Sequence, residues 1–270
     1  MHGIHEEDDR SGFCGRIRPP SRYGQEREGR EEKRYENEAA NSDSQFVFTM
    51  DLQQVQCLPK TNAGAQYYER KLQVHNMTFF NKKTKDGFNY VWDETQGELD
   101  GAVFGFIISK FIRDIVKVQP YSNADTIILW SDNCTHQNKN CMVSNALIST
   151  ARSTKVNVIQ KYLTKGHTMM ECDSMHSTIE RRTRNLRAGE RKIFVPAQLS
   201  VAIQAARIQP KPYHVEILNH TRRTTTVRCL VAISYETVLD AKRVRGNKVM
   251  YKLKFTIGAT CPLGEGLART

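Results

Sequence analysis

Three aspartates mark the part of this sequence best suited to chemistry. Asp51 closes the apolar run QFVFTMD, Asp132 closes TIILWSD, and Asp173 lies near the start of ECDSMHSTIE. A carboxylate at the end of a buried strand emerges where burial stops, and two neighbouring strands of this kind deliver their carboxylates to one edge of a sheet. With a third from a helix packed nearby, the set can hold Mg²⁺ or Mn²⁺, ions that take oxygen ligands and stabilise the attacking and leaving oxygens of phosphoryl transfer. Asp173, His176 and Glu180 are spaced three and then four residues apart, so a helix places them on one face. Asp173 is the expected third ligand and Glu180 its alternate, while His176 can serve as ligand, proton shuttle or orienting group. His167, in the GHT loop just before, is a candidate for moving protons at the mouth of the site. Asp100 is a candidate fourth metal ligand with Glu94 as its competitor. Bland roles compete throughout: strand-end aspartates also form turns, and acids in a first helical turn, Asp100 and Asp173 included, also suit the helix dipole.

A second group of residues suits a polyanion. NCTHQNKN, directly after the second of these strands, offers Asn133, Gln137, Asn138 and Lys139 to phosphate oxygens. Its Cys134 and His136 lack a partner pair at zinc-finger spacing. RRTRNLRAGERK, residues 181–192, carries six basic residues against one acid, and Arg181, Arg182, Arg184 and Arg187 would lie beside the carboxylates and neutralise a nucleic-acid backbone. Arg222, Arg223, Arg228, Lys242, Arg243 and Arg245 could extend that track, and Tyr67 and Tyr68 could stack a base or line the core. The chain of 270 residues has a net charge of +11. Residues 1–40 hold ten acids against eight bases, which leaves +13 on the remainder. The positive field thus belongs to the folding part and favours DNA, with RNA as a further partner.

The elements that must position these groups follow from periodicity. QFVFTMD reads as a buried strand; KLQVHNMTFFN and GFNYVW read as two more across a KKTKDG turn, an antiparallel meander. LDGAVFGFIISKFIRDIV has apolar residues at 103, 107, 108, 111, 112 and 115, the spacing of a helix. TIILWSD is the next strand. Asn138 to Arg152 is expected to be a helix with Met142, Val143, Ala146, Leu147 and Ala151 inward, followed by strand KVNVIQKYL and helix ECDSMHSTIERRTRNL. Three strands, helix, strand, helix, strand, helix is the order of an α/β fold with a mixed sheet flanked by helices. Beyond it, VPAQLSVAIQAARI suggests a helix with Pro196 in its first turn, and YHVEIL, TTVRCLVAISY and VMYKLKFTI suggest strands. The expected organisation is a charged, disordered or non-native tail at 1–45, a core at 46–190, and at 191–270 a helix with a small strand-rich C-terminal extension.

The 7 cysteines are an odd set without close pairing and read as reduced thiols. The acidic start is unlike a signal peptide and no apolar run approaches 18 residues, so the expected setting is nucleus or cytoplasm, away from membranes. Assembly with further copies of itself is compatible with this composition.

MDLQ at 50–53, the tyrosine pair at 67–68, YVWDE at 90–94, SDNCTHQNKN at 131–140, GHTMMECDSMHSTIE at 166–180 and the VPAQ element resemble a family of transposase-related eukaryotic proteins. The resemblance covers about residues 47–215 and is most specific in the DNC…QNKN and GHT…D…H…IE stretches. It implies a ribonuclease-H-like core of the DDE/D type, with Asp51, Asp132 and Asp173 in the metal-ligand positions. Cleavage or strand transfer of DNA would follow, or, where the chemistry has been lost, nucleic-acid binding alone. The sequence departs from the family in two places. A charged low-complexity stretch stands where cysteine-rich and helical elements commonly precede the first catalytic strand, so recognition of transposon ends is expected to be missing. Asp100 stands where a glutamate is common, which shortens the reach of that ligand.

Overall fold

The structure is a computed structural model that describes residues 37, 42–60, 70–132, 134, 137–163, 170–188, 192–219 and 252–255, with the backbone alone for 187–188 and 252–255. The elements in chain order are β1 (Gln45–Leu52), β2 (Gln56–Leu58), β3 (Leu72–Asn81), β4 (Gly87–Asp93), α1 (Gly101–Ile115), β5 (Thr126–Ser131), α2 (Cys141–Thr154), β6 (Asn157–Tyr162), α3 (Glu171–Ala188), α4 (Pro196–Gln204), β7 (His214–Ile217) and β8 (Lys252–Phe255). They build one sheet in the order β7-β4-β3-β1-β5-β6-β8, with β2 paired to β3. β1, β3 and β4 run antiparallel in sequence, whereas β5 and β6 continue parallel to β1. An antiparallel meander whose first strand is followed sideways by two parallel strands is the ribonuclease-H-like arrangement. The described strands of the extension join the same sheet, β7 parallel on β4 and β8 antiparallel on β6.

Alternation along the strands divides the core in two. Phe46, Phe48 and Met50 of β1, Phe79 of β3, Tyr90 and Trp92 of β4 and Ile127 and Leu129 of β5 point to the face covered by α1 and α2. All six predicted apolar positions of α1 are buried there. The opposite face receives Met175 and Ile179 of α3 and Leu199, Ala202 and Ile203 of α4, packed on Val74 and Val91. Helices on both faces are what a half-parallel sheet requires.

Two expectations need correction around α2. The helix begins at Cys141 because the Asn140 side chain accepts a hydrogen bond from the Val143 amide at 2.9 Å, an N-cap that excludes Asn138 and Lys139 from the helix. Met142 is 47% exposed: the inward stripe is set by Val143, Ala146, Leu147, Thr150 and Ala151, and Met142 falls at its margin. The short β2 has no counterpart among the expected elements, since three residues carry too little alternation to be read. The tail at 1–36, TTVRCLVAISY and the basic residues from 222 to 245 lie outside the described residues.

Gly87 is where α3 and the extension close on β4. A Cβ built there would lie 2.7 Å from the Tyr213 ring and 2.8 Å from the Met175 methyl. Gly87→Ala is therefore expected to destabilise the protein by about 1–3 kcal/mol, the range for forcing atoms into a filled core. Urea unfolding measures this, and an unchanged midpoint would contradict the packing described.

Candidate metal centre

The β1 register brings the two strand-end carboxylates together. Thr49 of β1 pairs with Trp130 of β5 in parallel, so two residues further along both strands Asp51 stands beside Asp132 on the same face. On its other side Asp51 faces Thr78 of β3. This is the face that α3 covers, and the first turns of that helix carry Asp173 and His176 over the strand ends. Asp51, Asp173 and His176 each offer a ligand atom, and these atoms all lie within 4.8 Å of one another.

Hydrogen bonds fix most of these groups. Asp173 Oδ2 accepts from the Met170 amide at 2.7 Å, an acid at the third helical position bonded to the residue that precedes the helix. Asp173 thus serves the helix terminus and the carboxylate cluster together. The Thr78 hydroxyl donates to the Asp51 carbonyl oxygen at 3.0 Å and lies 2.8 Å from His176 Nε2. A hydroxyl has one proton, and a carbonyl only accepts, so the Thr78 proton belongs to Asp51 and the hydroxyl accepts from His176 Nε2–H. Nδ1 of the neutral ring is left with its lone pair directed at Asp51, whose Oδ2 is 3.8 Å away. Beneath them, the buried Cys172 thiol donates to the Thr49 carbonyl at 3.4 Å, and burial pushes its pKa up to about 12, so it packs as an inert group.

Burial and like charge set the electrostatics. Desolvation first, then the charges of Asp132 and Asp173, raise Asp51 to about 7, against a smaller lowering by the Leu52 amide. Desolvation lowers His176 to about 4 despite the charge of Asp173. The pair is thus a neutral imidazole facing a carboxyl that burial and like charge keep from ionising readily. Crowded carboxylates that resist ionisation are what a divalent cation relieves, and the donor set of two carboxylates and an unprotonated nitrogen fits one.

Asp132 is held from the loop after β5. Asn138 Nδ2 donates to its Oδ1 at 2.5 Å, and the Cys134 amide reaches the same oxygen at 3.4 Å. Asn138 is itself locked, because its carbonyl accepts from Gln160 Nε2 and from the Tyr162 hydroxyl, each at 3.1 Å. At 2% exposure this amide positions a carboxylate and cannot meet a phosphate in solvent, unlike the role expected from the loop's polarity. The neighbouring Lys139 ammonium lies 5.9 Å from the centre of the Tyr162 ring. Gln137 is half-buried in the same turn.

Asp100 is an N-cap: its Oδ1 accepts from the Val103 amide at 2.8 Å, and it does not join the cluster at β1 and α3. Glu94 accepts from the Gln73 amide at 3.3 Å and lies 3.7 Å from Arg70. Glu180, one turn beyond His176, instead lines a groove of about 250 Å³ together with Gln54, Gln56, Lys60, Thr183 and Arg184. Arg181, Arg182 and Arg184 are exposed along α3, while the side chain of Arg187 and all of Asn133, His136, His167, Tyr67 and Tyr68 lie outside the described residues. Thr78 and the positioning role of Asn138 escaped the sequence reading. The available signal for Thr78 was weak, because HNMTFF carries His75 and Asn76 as further polar residues in the same strand.

Residues 66–254 match a family described as Domain of unknown function (DUF7869). The chain belongs to that family. The part matched by DUF7869 contains Thr78, Asp132, Asn138, Asp173 and His176, and Asp51 precedes it. No curated protein matches the chain. Similar solved structures include the human cytomegalovirus terminase nuclease domain, Mn soaked and inhibitor bound, at 10% identity and a TM-score of 0.27, covering 58% of this chain and 67% of that one. Another is Ciona intestinalis endonuclease V in complex with a 23mer DNA, at 9% identity and a TM-score of 0.22, covering 59% and 68%. The fold of this DUF7869 member rests on its own strand order. Among its described residues no helix is long and apolar enough to cross a membrane.

Proposed function

We propose that this protein is a transposase-derived enzyme that uses a divalent metal, Mg²⁺ or Mn²⁺, to cleave or transfer DNA phosphodiester bonds. The observation that carries this reading is the convergence of Asp51 and Asp132, from the ends of two adjacent parallel strands, with Asp173 and His176 of a helix crossing above them. Asp51, Asp173 and His176 would hold the ion, with Asp132 beside Asp51 completing the carboxylate set. When bound, it would supply the positive charge that stabilises the oxygens of an in-line displacement. Asn138 keeps Asp132 aimed, burial keeps His176 neutral, and Thr78 fixes the tautomer that leaves Nδ1 as the acceptor. Arg181, Arg182 and Arg184 lead away from the centre along α3, where their charge would neutralise a backbone, and the groove holding Lys60 and Arg184 gives that backbone a polar channel. DNA is the favoured strand and RNA the alternative.

The test is cleavage of supercoiled and single-stranded DNA in Mn²⁺ and Mg²⁺ beside Asp132→Asn and a chelator control. The expected result is metal-dependent product, reduced at least ~100-fold in the variant, the scale on which one charge-stabilising group acts. Binding to DNA without product, unchanged by chelator or by the substitution, would overturn catalysis and identify a nucleic-acid-binding protein of the same descent.

A further inference from the structure

His176 had three open roles, and its surroundings separate them. A proton shuttle needs exchange with solvent, but the residue is 8% exposed, on the buried side of α3. An orienting group for Asp51 needs an Nδ1–H donated within about 3.2 Å. The observed separation is 3.8 Å, and the ring's proton is on the other nitrogen, held by Thr78. What remains is a buried ring nitrogen 3.8 Å from Asp51, in a residue grouped with Asp51 and Asp173 so that their ligand atoms lie within 4.8 Å of one another.

We infer that His176 is a metal ligand through Nδ1, fixed in that form by the Thr78 hydroxyl, and that the centre therefore selects Mn²⁺ over Mg²⁺. This rests on the reading that the cluster binds a divalent ion, and goes beyond it in naming the ligand atom on His176 and the ion preferred. Mg²⁺ demands oxygen ligands in near-ideal octahedral array and gives up water reluctantly. Mn²⁺ shares the carboxylate preference of Mg²⁺, but it belongs to the first-row series of ions that bind mixed nitrogen and oxygen sites. Thr78 serves the ring as outer carboxylates and carbonyls serve metal-bound histidines elsewhere, setting tautomer and direction. It is a positioning residue: its hydroxyl lies on the far side of the ring from the ion.

The experiment is Mn²⁺ and Mg²⁺ titration calorimetry on the full chain, together with pulsed electron paramagnetic resonance of the Mn²⁺-loaded protein to detect a directly bonded ¹⁴N. The inference expects nitrogen coupling in the wild type and its loss in His176→Asn. It also expects Thr78→Val to weaken Mn²⁺ by about ten- to a hundredfold with less effect on Mg²⁺, and Thr78→Ser to restore the affinity. Mn²⁺ binding without nitrogen coupling would overturn the inference while leaving the carboxylate centre standing. Absence of any divalent binding would overturn both. The wild-type resonance measurement decides between these even if a Thr78 variant does not fold.

Discussion

Replacing Asp51 with asparagine is expected to make the metal-free protein more stable and to abolish its response to divalent ions. Burial and the charges of Asp132 and Asp173 hold this carboxyl neutral until about pH 7, against 3.8 for a free aspartate. Between those values the folded chain keeps a proton that the unfolded chain has released, so the contribution of Asp51 to stability falls as pH rises and its penalty is complete above pH 7. The full shift corresponds to at most ~4 kcal/mol. With 22% of the side chain exposed, water screening reduces this to about 2–3 kcal/mol, or ~5–10 °C in Tm for a chain of this size. His176 works in the opposite sense. Its depressed pKa of about 4 means that the unfolded chain holds the extra proton between pH 4 and 6.5, so its contribution is present above 6.5 and is lost as pH falls. Between pH 4 and 6.5 the contributions of these two groups slope in opposite directions and offset each other. Because Asp51→Asn removes only the Asp51 titration, the gain should be full at pH 8 and shrink as the solution is acidified toward pH 4. Scanning calorimetry at pH 5 and pH 8, with and without Mn²⁺, checks each part. A variant less stable than wild type at pH 8 would show that the Asp51 carboxylate is not the liability described.

Phe111→Ala is expected to have the largest effect on stability, about 3–5 kcal/mol, with little effect on the metal centre. The Phe111 ring stacks on Phe79 with centroids 4.0 Å apart and planes 9° from parallel, and meets Phe48 edge-on at 5.1 Å and Phe88 at 5.6 Å. These rings lie on the α1 side of the sheet, and their removal leaves a void that strands on a rigid sheet cannot close. Asp51, Asp132 and Thr78 point to the opposite face. Denaturant unfolding should therefore register the loss, while Mn²⁺ affinity measured below the transition should stay within a fewfold of wild type. Stability preserved with metal binding destroyed would mean that the two faces are not separate in the way the alternation indicates.

Much of this layout was legible in the sequence because it rests on local patterns. An apolar run that stops on an aspartate announces a strand that stops burying, and this placed Asp51 and Asp132. Spacings of three and four residues placed Asp173 and His176 on one helix face. What escaped depends on pairings between distant residues. Thr78 matters because β3 sets it opposite Asp51 across an antiparallel register, and nothing within HNMTFF announces that partner. Asn138 looked like a solvent-facing amide in a polar loop; only Gln160 and Tyr162, on a strand more than twenty residues later, turn it inward toward Asp132. Asp100 shows the limit from the other side. A carboxylate ahead of a long helix serves equally as cap or ligand by sequence, and the Val103 amide decides for the cap.

The two outer strands have a consequence for the solubility of shortened forms. β7 occupies the open side of β4 and β8 that of β6, so unpaired backbone on both flanks of the five inner strands is capped by chain from beyond residue 213. A proteolytic product or gene fragment ending after α3 would keep Asp51, Asp132, Asp173 and His176, yet it would present two bare strand edges to other copies of itself. For such a fragment self-association, rather than loss of the metal ligands, is the expected route to inactivity.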